Sequence, residues 1–328
     1  MEGAYKPTLK NGHIDMPVPE GTDLRAEIAR MKKEKNAVIL AHYYTSAEVQ
    51  EVADYTGDSL GLSQQAAKTD ADIILFAGVH FMAETAKILS PKKKVIIPDL
   101  ATSCSLADSV TEKALAECKA KYPDHTVISY VNTTAEVKAL TDIVVTSSNA
   151  VKIVSKLPAH EKIIFGPDKN LGNYVKKVTG RENMVIWEGG CHVHDHFDAE
   201  ALSKLKIEHP NAKVLAHPEC NASILDQADV IGATSTLLKA TCDMPDTEFI
   251  VATEPGIFYE MKKRNPNKTY IPVPNENGHP YNVCQNMKRN NLVKIYNTLK
   301  YEFPEVDVPE ALSSKAVSCI TRMMEMSK

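Results

Sequence analysis

Three segments of the chain end an apolar run in side chains that can move protons. They are Ala37-Val38-Ile39-Leu40-Ala41-His42-Tyr43-Tyr44, Thr126-Val127-Ile128-Ser129-Tyr130-Val131-Asn132 and Lys213-Val214-Leu215-Ala216-His217-Pro218-Glu219. With His42, Tyr130 and His217 as anchors, the spacings are 88 and 87 residues. Imidazole, phenol and carboxylate are the usual general acids and bases. One polar residue at a strand end is ordinarily structural; three in register point to chemistry. Seventeen residues past each anchor stands a hydroxyl, Ser59, Ser147 or Thr234, before an apolar helical pattern. Each has a plain reading as a helix N-cap. Each also has a functional one, since helix N-termini attract anions such as carboxylates and phosphates. Cysteines follow at 62, 61 and 67 residues past the anchors: Cys104, Cys191 and Cys284. Each lies in a loop after an apolar run, beyond Asp99, Glu188 and Asn275. One proton-transfer group, one hydroxyl and one thiol per repeat suggest a single site at a threefold junction.

The seven cysteines form no Cys-x-x-Cys pair. For a reduced compartment the choices are core filler, nucleophile or metal ligand. Cys118 and Cys319 sit inside helical patterns and Cys242 has no special context, so these read as filler. Three convergent thiolates are one short of a closed site, which is the logic of a metal with an open position. Iron–sulfur clusters take thiolates, and an iron lacking a protein ligand can act as a Lewis acid. A competing zinc reading comes from Cys191-His192-Val193-His194-Asp195-His196. On a strand, however, alternation puts the three histidines on one face and Cys191 on the other. Cys220, beside Glu219, is a rival nucleophile or ligand without a counterpart in the other repeats.

These groups must be carried by something. Short apolar runs at 37–42, 73–77 and 94–98 alternate with helical stretches at 47–55, 59–68, 81–89 and 107–121. Further runs fall at 126–131, 142–146, 162–166 and 184–188, and at 213–217, 229–232, 248–252 and 269–273. They are nearly continuously apolar, as strands of a parallel sheet covered on both faces must be. The pattern predicts three homologous three-layer α/β/α domains with parallel sheets around a pseudo-threefold axis. The expected boundaries are a lead-in over 1–24, repeats over 25–121, 122–209 and 210–285, and C-terminal helices over 286–328. A net charge of −4 gives no footprint for nucleic acid. No run of about 20 apolar residues predicts a membrane span, and residues 1–19 lack the apolar core of a secretory signal. The expectation is a cytoplasmic protein, where thiols stay reduced.

Together these motifs resemble the quinolinate synthase family, from about residue 25 to 300. The resemblance is carried by Ala41-His42-Tyr43-Tyr44, Gly57-Asp58-Ser59, Pro98-Asp99 leading to Cys104-Ser105-Leu106-Ala107-Asp108, Tyr130-Val131-Asn132, Trp187-Glu188-Gly189 leading to Cys191, His217-Pro218-Glu219-Cys220 and Asn286-Met287-Lys288. It implies a [4Fe–4S] cluster held by Cys104, Cys191 and Cys284. It implies condensation of iminoaspartate with dihydroxyacetone phosphate to quinolinate, phosphate and water, with one open iron as Lewis acid. His42, Ser59, Tyr130, Asn132, Ser147, His217, Glu219 and Thr234 then form the substrate shell. Glu219 and Tyr44 form the acid–base pair, with His217 and Tyr130 beside them. An upstream aspartate oxidase or dehydrogenase would supply iminoaspartate to a monomer or homodimer. Two departures stand out. Residues 280–286 hold Cys284 as their one cysteine, so no thiol pairs with it locally. Asn291 stands before Leu292 where the family pattern suggests threonine. Other classes compatible with the bare residues are a zinc-dependent hydrolase or aldolase, and a non-catalytic cluster or anion sensor.

Overall fold

The computed structural model describes residues 7–328. Its chain divides into two compact units, Met1–Cys104 with Gln285–Ser314, and Ser105–Cys284 with Lys315–Lys328. The first six residues of the expected lead-in lie outside the described residues. The rest of the lead-in forms a small hairpin, Leu9–Lys10 with His13–Ile14, and reaches the start of a helix, Leu24–Glu34. Asp23 caps that helix by accepting from the amides of Arg25 and Ala26.

The first unit is built on one parallel sheet. Ala37–His42 lies between Tyr55–Gly57 and Ile73–Ala77, and Lys94–Ile96 forms the other edge. Counting strands in chain order, the spatial order is 2-1-3-4. Ile39, Ala41, Ile73, Leu75, Ala77 and Ile96 point to one face, as period-two alternation requires. There they meet Ile28 and Met31 of Leu24–Glu34 and Leu292, Ile295, Tyr296 and Leu299 of helix Leu292–Tyr301. The intervening Val38, Leu40, Ile74 and Phe76 are equally buried. Helices Ser59–Lys68 and His80–Leu89 supply the remaining layer. Burying both faces explains why the strands read as unbroken apolar runs, each large aliphatic side chain contributing about 1.5–3 kcal/mol. Helix Leu292–Tyr301 is therefore part of this core and no appendage. Its N-cap is Asn291, whose Oδ1 accepts from the Lys294 amide at 2.9 Å. Asparagine at the expected threonine position is thus an equally good cap.

The second unit contains two sheets of the same order. In one, Thr126–Tyr130 is flanked by Ile143–Val145 and Ile163–Gly166, with Met184–Ile186 at the edge. In the other, Lys213–Ala216 is flanked by Val230–Ile231 and Glu248–Ala252, with Thr269–Pro272 at the edge. Val127 and Ile164 pack with Leu115 of helix Glu112–Lys121 and Val137 of Ala135–Ala139. Val214, Ala216, Ile250 and Ala252 pack with Leu202 of helix Ala199–Glu208 and with Val193 and Phe197. Helix Glu310–Met326 follows, and its Cys319 thiol contacts the Lys138 carbonyl.

The repeat goes deeper than the strand ends. Asp54, Asp142 and Asp229 show the same spacings of 88 and 87 residues. Each carboxylate accepts from a first-strand amide, that of Ile39, Val127 or Val214, at 2.8 Å. Each returns its own N–H to the carbonyl of the same residue. The parallel three-sheet α/β architecture is as expected, and two local features differ. The stretch 47–55 is a short helix, Ala47–Val52, followed by the strand Tyr55–Gly57, which at three residues shows no periodicity. The stretch 107–121 is two helices, Ser105–Asp108 and Glu112–Lys121, the second restarted by the Thr111 cap. Among the described residues no helix is long and apolar enough to cross a membrane.

Candidate active site

In a 2-1-3-4 parallel sheet, connections leave strands one and three in opposite directions. Ligands bind beyond the carboxyl ends of the strands at that point. The residues singled out by sequence stand there. His42 closes the first strand of the first unit and Tyr130 that of the second sheet. His217 follows Ala216 at the end of the third sheet's first strand.

The strand ends turn by related devices, each shared by two of the three. His42 Nδ1 accepts from the Tyr44 amide at 3.1 Å, and His217 Nδ1 from the Glu219 amide at 3.4 Å. In the neutral ring this leaves Nε2 as the donor. Thr45 and Thr133 hydroxyls close the first two turns onto the carbonyls of His42 and Tyr130. Gln50 Nε2 donates to the carbonyls of Tyr43 and Thr45. The ammonium of Lys138, which is fully buried, serves the equivalent carbonyls of Val131 and Thr133. The third-position carbonyls are held as well: Lys288 Nζ reaches that of Tyr44 at 2.6 Å, and Asn170 Nδ2 that of Glu219 at 3.0 Å. The loop leading to Cys104 is similarly anchored within its unit. Buried Asp99 takes Arg289, Lys294 and the Ala101 amide, while Asn286 accepts from the Ser103 amide.

In the second unit the sequence-selected groups meet. Glu219 is 3% exposed. Its Oε1 accepts from the Tyr130 hydroxyl, joining the ends of two sheets. Its Oε2 lies 2.9 Å from His194 Nδ1. The His194 ring stacks on His217 at 4.5 Å between centroids, and its Nε2 lies 2.9 Å from Thr253 Oγ1. Burial by itself raises a carboxyl pKa, but His217, His194 and the hydrogen bond from Tyr130 outweigh it and hold Glu219 well below the usual carboxylate range. Burial and the Glu219 charge push the Tyr130 phenol up, so it keeps its proton, and Ser147 bonds to it. Asp168, at the end of the second sheet's third strand, is pushed well above the carboxylate range by burial and by Glu219. The two carboxyls are thus shifted in opposite directions within one buried region.

Cysteine environments sort themselves. Cys104, Cys191 and Cys284 are partly exposed. Cys191 and Cys284 border the same apolar cluster, and Asn282 ties their loops by donating to the Val193 carbonyl at 2.6 Å. Cys220 is fully buried, and burial pushes its thiol up. Burial pushes Cys319 up to about 11 and raises Cys118. Such thiols remain protonated and make poor ligands. Cys220 is therefore core, its Sγ directed at the Ala252 carbonyl.

Two expectations are corrected. The hydroxyls do not cap helices. Asp58 caps Ser59–Lys68, Ser147 stands before the Asn149 cap of Ala150–Lys156, and Thr234 is the first residue of its helix after Ala233. The hydroxyls thus sit beside or inside the first turn, with another residue in the capping place. Residues 191–196 are a turn and no strand, closed by the Asp195 amide on the Cys191 carbonyl. Cys191 and His194 consequently share a side, with Sγ and Nδ1 3.2 Å apart. One ligand atom each from Cys191, His194 and Glu219 lies within 4.8 Å of the others. His192 and His196 turn elsewhere, to Ser105 and Glu276. Sequence reasoning missed His194, Thr253, Asn170 and Asp168 as members of this region. Asp168 carried a signal, because it follows a strand end as the anchors do, and His194 carried one only as part of a His-rich stretch.

Comparison with known proteins points to one family. The family model described as quinolinate synthetase A protein matches residues 26–325. The quinolinate synthase of Synechocystis sp. (strain ATCC 27184 / PCC 6803 / Kazusa) is 55% identical over 305 residues, covering 93% of this chain and 96% of that protein. That of Microcystis aeruginosa (strain NIES-843 / IAM M-2473) is 54% identical over 305 residues, with 93% and 95% covered. That of Thermosynechococcus vestitus (strain NIES-2133 / IAM M-273 / BP-1) is 54% identical over 312 residues, with 95% and 97% covered.

Proposed function

This chain belongs to the quinolinate synthetase A protein family, and we propose that it condenses iminoaspartate with dihydroxyacetone phosphate to quinolinate. The reaction releases phosphate and two waters. Its atoms and electrons balance without an added oxidant. Cys104, Cys191 and Cys284 hold a [4Fe–4S] cluster, and the soft, partly exposed thiols suit it. When bound, the cluster supplies Lewis acidity at its iron without a protein ligand. The protein works in a reducing, cytoplasmic setting, with an upstream aspartate-oxidising enzyme supplying iminoaspartate.

The observation that carries the reading is the buried Glu219, gripped by Tyr130 and His194 beside Cys191. Isomerisation of a ketone to an aldehyde and later dehydration both move a proton between adjacent carbons. Glu219 takes that proton as general base. Tyr130 and His194 hold its two oxygens in place. Tyr44 returns protons as acid, and His42 and His217 present Nε2 to substrate oxygens. Asn132, Ser59, Ser147 and Thr234 hold the carboxylates and the phosphate. Ser59 and Thr234 begin ten-residue helices, whose N-termini favour anions.

The test is anaerobic reconstitution followed by incubation with dihydroxyacetone phosphate and iminoaspartate made from oxaloacetate and ammonia. Quinolinate and phosphate should appear one to one. A fully loaded protein that forms no quinolinate overturns the proposal. The Cys191–His194–Glu219 trio favours one second reading, a zinc site with an open position in a hydrolase or aldolase. Brown protein containing iron and sulfide supports the first reading; colourless protein with one zinc per chain supports the second.

A further inference from the structure

We infer that Thr253 is a positioning residue for the proposed base: it fixes the His194 ring, and the ring holds the Glu219 carboxylate. The inference rests on the reading of Glu219 as general base. Thr253 directly follows strand Glu248–Ala252, the third strand of the third sheet, and is 1% exposed. Its Oγ1 lies 2.9 Å from His194 Nε2. The other ring nitrogen, Nδ1, lies 2.9 Å from Glu219 Oε2 and 3.2 Å from Cys191 Sγ. An ionised carboxylate only accepts, so Nδ1 carries a proton. In the neutral ring Nε2 is then an acceptor, and the Thr253 hydroxyl donates to it.

Two hydrogen bonds in series thus tie the Glu219 carboxylate to the sheet. Glu219 itself stands in a loop, three residues beyond the first strand, whereas Thr253 is joined to a central strand and has a stiff, β-branched side chain. Stacking on His217 and the edge contact with Phe197 set the plane of the His194 ring. The Glu219 carboxylate sets which nitrogen carries the proton, and the Thr253 hydroxyl holds the other nitrogen in place. With Oε1 held by Tyr130, fixing Oε2 completes the aim of the carboxylate. Misaiming a catalytic group by about 1 Å costs about 10²-fold in rate.

The experiment compares T253V, T253S, H194N and the T253V/H194N double variant as reconstituted holoenzymes. Kinetics, iron content and the His194 Nε2 signal, read by nitrogen-15 NMR on histidine-labelled protein, are measured for each. T253V keeps side-chain shape and removes the donor. It should lower kcat about 10- to 100-fold, leave KM within about threefold and leave iron content unchanged. T253S should restore the rate. In the H194N background T253V should add no further loss, since the effect travels through the ring. Wild type should show a hydrogen-bonded Nε2 signal and T253V an unbonded one. Unchanged kcat in T253V, multiplying losses in the double variant, or iron loss in T253V overturns the inference. A wild type that makes no quinolinate defeats the proposed function instead. The Nε2 signal then decides this inference alone, and an unaltered Nε2 signal in T253V ends it.

Discussion

Glu219 is the proposed base, and variants around it separate proton transfer from binding. Glu219→Gln keeps shape and hydrogen-bonding reach but cannot take a proton. It should lower kcat by about 10²–10⁴, with iron content unchanged. Ser59→Ala, Ser147→Ala and Thr234→Ala should each weaken substrate binding by about 0.5–1.5 kcal/mol, the worth of one hydrogen bond. Those losses should appear in KM or in quinolinate affinity. Anaerobic steady-state kinetics on the four variants checks the split, and near-normal kcat in Glu219→Gln would move the base to another group. Sequence made Glu219, Tyr130 and His217 legible because each stands at a fixed place after an apolar run. His194 was legible only as part of a His-rich stretch, and its assumed extended backbone put Cys191 on the wrong side. Its role arises from a turn that brings two loop residues together, and from partners 25 and 59 residues away in the chain. No local spacing encodes that.

At the scale of elements, the strands were legible because burial on both faces forces apolar continuity. Short elements without a pattern, such as Tyr55–Gly57, were not. The threefold aspartate device was equally hidden, since single Asp residues at strand entries look like ordinary turn formers. Asp54, Asp142 and Asp229 each satisfy the amide of a buried strand residue. Replacing any one by Ala leaves that amide without its acceptor, which costs about 1–3 kcal/mol. Urea unfolding should show three losses of similar size. A negligible loss at one position would mean that the repeat is geometric there without being energetic. Glu302 gives a pH-dependent prediction. It caps helix Leu292–Tyr301 at φ 49°, in the left-handed region, and bonds to Lys35 at 2.7 Å and Lys94 at 2.8 Å. Those hydrogen bonds, Lys35 first, lower its carboxyl below the ordinary 4.5. A lowered folded value means that the stabilisation is complete above the unfolded value. It is lost as pH falls through the folded value. Glu302→Gln should therefore destabilise at pH 7, by less than about 1 kcal/mol for so exposed a pair. The gap from wild type should narrow in acid. A gap that widens in acid contradicts this sign.

For the whole molecule, the proposed ligands tie together distant parts of the chain. Cys104, Cys191 and Cys284 are separated by 87 and 93 residues. The backbone passes from one unit to the other directly after Cys104 and directly after Cys284. A group bound by all three thiolates would close two long loops, and closure entropy varies only slowly with loop length. Such a group also selects the native arrangement over the unfolded chain, so its binding energy becomes folding stability. Anaerobic reconstitution with iron and sulfide should therefore raise the unfolding temperature of the wild type, a readout that needs no turnover. Cys104→Ala, Cys191→Ala and Cys284→Ala should each lose iron and lose that rise. Cys118→Ala and Cys319→Ala should keep both, because burial holds those thiols protonated. Their starting stability is a separate matter, since Cys319 is part of the packed core and shortening it leaves a small cavity. The comparison is between loaded and unloaded forms of the same variant, so this packing loss cancels. A Cys104→Ala protein that binds a full complement of iron and gains the same rise would remove the first unit from the cluster, leaving Cys191, His194 and Glu219 as the metal site to explain.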